Sequence, residues 1–111
     1  MSPLYQDPSI SHDEAIRLLA SDVEANIETA LISIGLNEQD SQWAQNTCLE
    51  YLNGNFESIA ASAIIALGHI ARRQGALDMT KVSPALEKVK NRFPALEATV
   101  VDTLEDIELF T

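Results

Sequence analysis

Cysteine is nearly missing from this chain: Cys48 stands alone among 111 residues, so no internal disulfide can form and the fold must rest on packing. A lone thiol suits a reducing compartment, and a cytoplasmic location is expected. Glycine is scarce too, at four, which leaves little material for hairpins, and no run alternates Val, Ile and Thr as a strand would. Aromatic residues supply only 5% of the chain. Bases are outnumbered, seven against seventeen acids, for a net charge of −10. That balance argues against nucleic acid and anionic membranes as partners and suits a cationic protein. The opening MSPLYQDPSIS has neither a positively charged segment nor a long apolar run, so no signal peptide is expected.

Catalytic and metal-binding patterns are also wanting. No HxxxH, CxxC or clustered His/Cys spacing offers a zinc site, and no glycine-rich phosphate loop or EF-hand loop is present. No cofactor is expected. The run His12-Asp13-Glu14 falls in a helix-capping segment and reads as structure rather than as an acid/base cluster. Cys48 has apolar helical neighbours and reads as a buried thiol. Trp43, near the start of a helix, reads as packing, with an interface anchor as the second reading. The protein is therefore expected not to be an enzyme.

What the chain does have is helical periodicity, clearest over residues 56–73, FESIAASAIIALGHIARR. Apolar residues fall at Phe56, Ile59, Ala60, Ala63, Ile64, Leu67 and Ile70, the spacing of one helical face. The opposite face, with Ala61, Ile65, Ala66 and Gly68, is small and apolar too, which predicts a central helix with neighbours on both sides. Asn55 is its expected N-cap, and Gly68 the expected point of close backbone approach. Around it the chain divides into an arm, residues 1–10, and a helical region, residues 11–111. Ser11 with Glu14, and Ser21 with Glu24, read as capping boxes opening the first two helices. The second helix turns Val23, Ile27, Ala30, Leu31 and Ile34 inward and reaches a candidate C-cap at Gly35. Asp40 or Ser41 opens a third helix to about Leu52, and NGN at 53–55 is a turn. Asp78 or Thr80 opens a fifth helix, which Pro84 should bend unless it lies near the first turn. Pro94 suits the first position of a last helix with Leu96, Val100, Val101, Leu104 and Ile107 inward.

These six helices repeat. A shift of 33 lays Ala30, Leu31, Ile34 and Gly35 on Ala63, Ile64, Leu67 and Gly68, and a shift of 37 lays Ala63, Ile64 and Leu67 on Val100, Val101 and Leu104. The expected fold is all-α, a short solenoid of about three antiparallel helix pairs, over residues 11–37, 40–73 and 78–111. NFESIAASAIIALGHIA, followed after a loop by KVSPALEKV, resembles the HEAT repeat, with ALG and PAL its most characteristic pieces. Glu105 departs from the pattern where the preceding repeat has Gly68, as a terminal repeat can. The resemblance implies binding of other macromolecules. Small stand-alone HEAT-like immunity proteins of bacterial toxin–immunity pairs are similar in size.

Charge is distributed unevenly. Residues 1–71 hold ten acids and one base, Arg17; residues 72–92 hold six bases and two acids; residues 93–111 hold five acids and no base. The expected function is protein binding, most specifically by an immunity protein or antitoxin that neutralises a basic toxin such as a nuclease, whose phosphate-holding surface an acidic inhibitor can cover. The alternatives are a general adaptor or assembly factor and, further off, an enzyme of the pigment-lyase kind found among HEAT-like proteins. The candidate partner-binding residues are the outward residues of the second helices of the pairs: Glu24 and Glu28, His69, and Asp102, Glu105 and Asp106. Lys81, Lys88 and Arg92 are expected on a different face.

Overall fold

The computed structural model describes residues 10–111, which form α1 (His12–Leu19), α2 (Glu24–Asn37), α3 (Ser41–Leu52), α4 (Glu57–Gln74), α5 (Met79–Arg92), a single 3-10 turn (Pro94–Leu96) and α6 (Glu97–Phe110). No strand occurs among the described residues. The arm expected over residues 1–10 lies outside them except for Ile10, whose backbone N–H donates to Ser33 Oγ at 3.2 Å.

Local chemistry opens and closes most of these helices. Ser11 Oγ accepts from the Glu14 N–H at 3.1 Å, Asp40 from the Trp43 N–H at 3.0 Å, and Asp78 from the Thr80 N–H at 3.1 Å. Each satisfies a donor that the helix itself cannot. Gly75 ends α4 in the left-handed region, φ 70°, its N–H bonded to the Ala71 carbonyl. Two expected caps do not form. Ser21 accepts from the Val23 N–H and the Asn26 side chain while Asp22 turns left-handed, so α2 begins three residues later, capped by Val23 without a side-chain bond. Phe56, not Asn55, is the N-cap of α4, and it too offers no side-chain bond. Pro84 lies well inside α5, where it cannot donate to the Thr80 carbonyl.

The helices stack as pairs around α4, which contacts α2, α3 and α6, while α1 packs on α2 and α3 meets α5. Cross-contacts run at a nearly constant offset: Ser58 donates to Glu24, Gly68 faces Thr103, and Arg72 pairs with Asp106. The helices α2, α4 and α6 therefore lie side by side and point the same way. Burial follows. Ala63, Ile64 and Leu67 are fully buried, and so are their counterparts in α2, Ala30 and Leu31, with Ile34 at 2%. On α4 the second face closes as well at Ala66 and Gly68, and only Ile65 opens to solvent, at 42%. In α6 Val100 is buried but Val101 is 40% exposed, contrary to the expected inward face, because no helix among the described residues covers that side. Val23 and Phe56, also expected inward, are exposed for a different reason: they stand at the helix entrances.

The close approach sits one repeat earlier than expected. Gly35 is not a C-cap but an interior residue of α2, and a Cβ placed there would lie 2.7 Å from Cα of Ala66 and 2.9 Å from its carbonyl oxygen. At Gly68 an added Cβ would meet only the Thr103 methyl, at an ordinary 3.5 Å. The repeat aligns these two glycines; their surroundings separate them. Gly35→Ala should therefore destabilise the fold by about 1–3 kcal/mol through overpacking. Gly68→Ala should leave stability unchanged or raise it by up to about 1 kcal/mol through helix propensity. Leu67→Ala, in the most enclosed helix, should cost about 2–5 kcal/mol. Urea denaturation of the three variants checks the ranking, and a Gly35→Ala protein as stable as the parent would contradict the α2–α4 contact.

Candidate functional site

Four of the six candidate residues lie at two grooves of the α2–α4–α6 layer, and Asp102 and Glu105 lie at neither. Glu24 and Glu28 belong to the first. Glu24 is exposed at the start of α2 and accepts a hydrogen bond from Ser58 Oγ on α4. One turn on, Glu28 is half-buried and walls a hollow of about 300 Å³ with Thr29, Ile32, Ser33 and Ser62. This hollow lies between α2 and α4, where small residues on both helices leave the groove shallow.

His69 and Asp106 meet in the second groove, a hollow of about 200 Å³ that they share with Ile65, Gly68, Arg72 and Thr103. Asp106 is not a free acid there. Its carboxylate holds the Arg72 guanidinium at 2.8 Å, and the same guanidinium lies 5.6 Å above the Phe110 ring. An exposed pair of this kind contributes at most about 1 kcal/mol, but it removes one negative charge from the expected acidic ridge. Asp102 and Glu105 remain exposed on the outer side of α6. The acidic face is thus interrupted in the middle by a base.

His69 feels this arrangement. Partial burial lowers its pKa below the ordinary 6.5, the positive charges of Arg72 and Arg73 lower it further, and Asp106 opposes them. The histidine is neutral at pH 7 and can offer a hydrogen bond rather than a charge. Cys48, wholly enclosed, has its thiol pushed up to about 12 by burial, which removes it from nucleophilic chemistry and leaves it as packing.

The basic block of residues 72–92 has mostly structural work. Arg73 donates from Nε to the Gly35 carbonyl and from an Nη to the Glu38 carbonyl, both at 2.9 Å, at the carboxyl end of α2. Arg92 does the same for the end of α3, donating to the Asn53 and Gly54 carbonyls at 2.8 Å. Cations at helix carboxyl ends satisfy orphan acceptors and the helix dipole together. Lys81 and Lys88 line a separate hollow with Leu49 and Pro84 between α3 and α5, away from the acidic residues, as expected.

One cluster escaped the sequence reading. His12 Nδ1 lies 3.0 Å from Glu38 Oε1, and its ring sits 4.3 Å from that of Trp43. Three helix ends bring these residues together, and no spacing within the sequence links positions 12, 38 and 43. The chain matches no protein-family profile and no curated protein. Among solved structures, a chain in the crystal structure of a CDI complex from Cupriavidus taiwanensis is similar, with a TM-score of 0.81 and 28% sequence identity over 96% of this chain and 96% of its own. The likeness spans all three helix pairs, so the whole stack is a shared architecture rather than one motif.

The lowered pKa of His69 has a consequence for stability. The unfolded chain takes up a proton near pH 6.5 before the folded chain does, so stability falls as pH drops below 6.5 toward the folded value. In His69→Gln that part of the acid sensitivity should be absent. Urea midpoints measured for both proteins from about pH 7.5 down to about pH 5, across the histidine range, provide the check, and parallel pH curves would mean that His69 is not desolvated.

Proposed function

We propose that this chain is a non-catalytic binding protein that neutralises a toxin, an immunity protein in the setting of contact-dependent inhibition. The observation that carries the reading is the full-length likeness to a chain of a CDI complex. Immunity proteins are components of such complexes, and they act by occupying the toxin. Two further features support the inhibitor's role over the toxin's. The net charge of −10 complements a protein that must hold nucleic acid or another anion. The enclosed Cys48 and the low-pKa His69 are poorly suited to nucleophilic or cationic acid catalysis. A basic nuclease toxin is the partner that fits best, because covering its phosphate-binding surface blocks its substrate by both shape and charge.

The test is direct. Expressed alone in a bacterial host the chain should be harmless, and expressed with the toxin domain encoded immediately beside its gene it should restore growth. Association of the two purified proteins should be fast and should slow markedly with added salt, as for electrostatically steered pairs. Growth arrest by the chain alone would assign it the opposite role in the complex. No rescue and no binding would remove the immunity reading.

A further inference from the structure

Two exposed apolar side chains occupy equivalent places in successive repeats. Val23 is 49% exposed and Phe56 60% exposed, and each is the N-cap of its helix, α2 and α4 respectively. A polar side chain at an N-cap would stabilise the helix, and neither residue provides a capping bond. Folding therefore gains nothing from an apolar residue at either helix entrance. The two entrances are neighbours, since Ser58 of α4 bonds to Glu24 of α2.

The surroundings are acidic. Asp22, Glu24 and Glu57 are exposed next to the two apolar residues in the chain, and Asp22 and Glu50 both bear on the nearby Tyr51 hydroxyl, whose pKa burial and these two charges raise. No lysine or arginine occurs between Arg17 and Arg72. Arg92 reaches this corner from α5 and keeps its positive charge there, but its guanidinium is held by the Asn53 and Gly54 carbonyls rather than by Asp22, Glu24 or Glu57, and the three acids outnumber it. The corner thus differs from the α4–α6 groove, where Arg72 neutralises Asp106. A second copy of the chain docked symmetrically, corner to corner, would set acid against acid here, and an anionic lipid surface would be repelled. The complementary occupant is an apolar side chain flanked by lysine or arginine.

We infer that the entrance corner of α2 and α4, with Val23 and Phe56 framed by Asp22, Glu24 and Glu57, is the docking surface for a cationic amphipathic segment of the partner protein. This rests on the immunity reading for the identity of the partner, though not for the surface itself. Phe56 packs against the apolar side chains of that segment as an aromatic anchor, and the acids around it meet the segment's bases. The surface lies at the opposite end of the layer from Asp106 and Phe110.

The test uses a helical peptide with leucine on one face and lysine on the other, titrated into the isotope-labelled full chain and followed by amide NMR. The largest shifts should fall on residues 22–28 and 56–62, and a peptide with glutamate in place of lysine should leave them unmoved. Phe56→Ser should weaken lysine-peptide binding about tenfold or more, as loss of an anchor residue does. Serine supplies the cap that phenylalanine lacks, so the variant should fold, and an unchanged circular dichroism spectrum verifies it. Glu57→Gln combined with Glu24→Gln should weaken binding as well and flatten its salt dependence. Shifts centred on Asp102, Glu105 or Leu109, equal binding of the two peptides, or unaltered affinity in the variants would each overturn the assignment. If toxin neutralisation fails while the lysine peptide still maps to this corner, the surface stands and the immunity reading falls. Full neutralisation and unchanged toxin affinity in the Phe56→Ser protein would remove the surface and leave that reading intact.

Discussion

Where α2 and α4 touch, there is no room for a side chain. The backbone of Ala66 fills the place that a Cβ at residue 35 would take. Close packing of this kind permits no gradual adjustment, because a well-filled interior answers added volume with strain. It fixes the distance between the first two pairs, and the rest of the layer is placed from there. Ala60, Ala63, Ala66 and Ala71 are all buried on α4, and their small size lets three helices share one another's flanks without large voids. The larger residues Ile64, Leu67 and Ile70 then fill the space toward the second layer.

The charges follow the same plan. Read along the chain, the bases of residues 72–92 look like a patch. In space three of the six are fasteners, since Arg72, Arg73 and Arg92 each reach into a neighbouring repeat. Arg72 neutralises Asp106, whereas Arg73 and Arg92 bond to neutral carbonyls and keep their charge, so at the α2 and α4 entrances the acids outnumber the one base that reaches them. A net charge is therefore a poor guide to where a partner binds, and the pairing of each base is a better one.

Most of the architecture was legible in the sequence because it rests on period and on local capping. The apolar spacing over residues 56–73 revealed the central helix, and Ser11, Asp40 and Asp78 marked helix starts through bonds made within three residues. What was not legible depends on neighbours. Gly35 and Gly68 are equivalent in the repeat, and only the facing residues, Ala66 and Thr103, tell them apart. Val101 matches the buried Ile64 in the repeat yet is exposed, because no helix among the described residues covers that side of α6. The same limit applies to the candidate site. Its helices and outward acids could be placed from spacing, whereas the Arg72–Asp106 pair, which divides the acidic ridge, joins residues 34 positions apart. Val23 and Phe56 were assigned to the core by their apolar character, and their exposure appears only once the helix starts are known.

Two of the three arginine fasteners, Arg73 and Arg92, point backwards along the chain, while Arg72 points forwards to Asp106. The carbonyls that end α2 are held by Arg73, more than a full repeat later, and those that end α3 by Arg92. During synthesis the first pair of helices therefore leaves the ribosome before the residue that finishes it. Until Arg73 has emerged, the Gly35 carbonyl must turn to water, and the face of α2 that receives Ala66 stands open. Closure thus follows translation with a lag of about one repeat, and the early part of the chain waits for the later part to complete it.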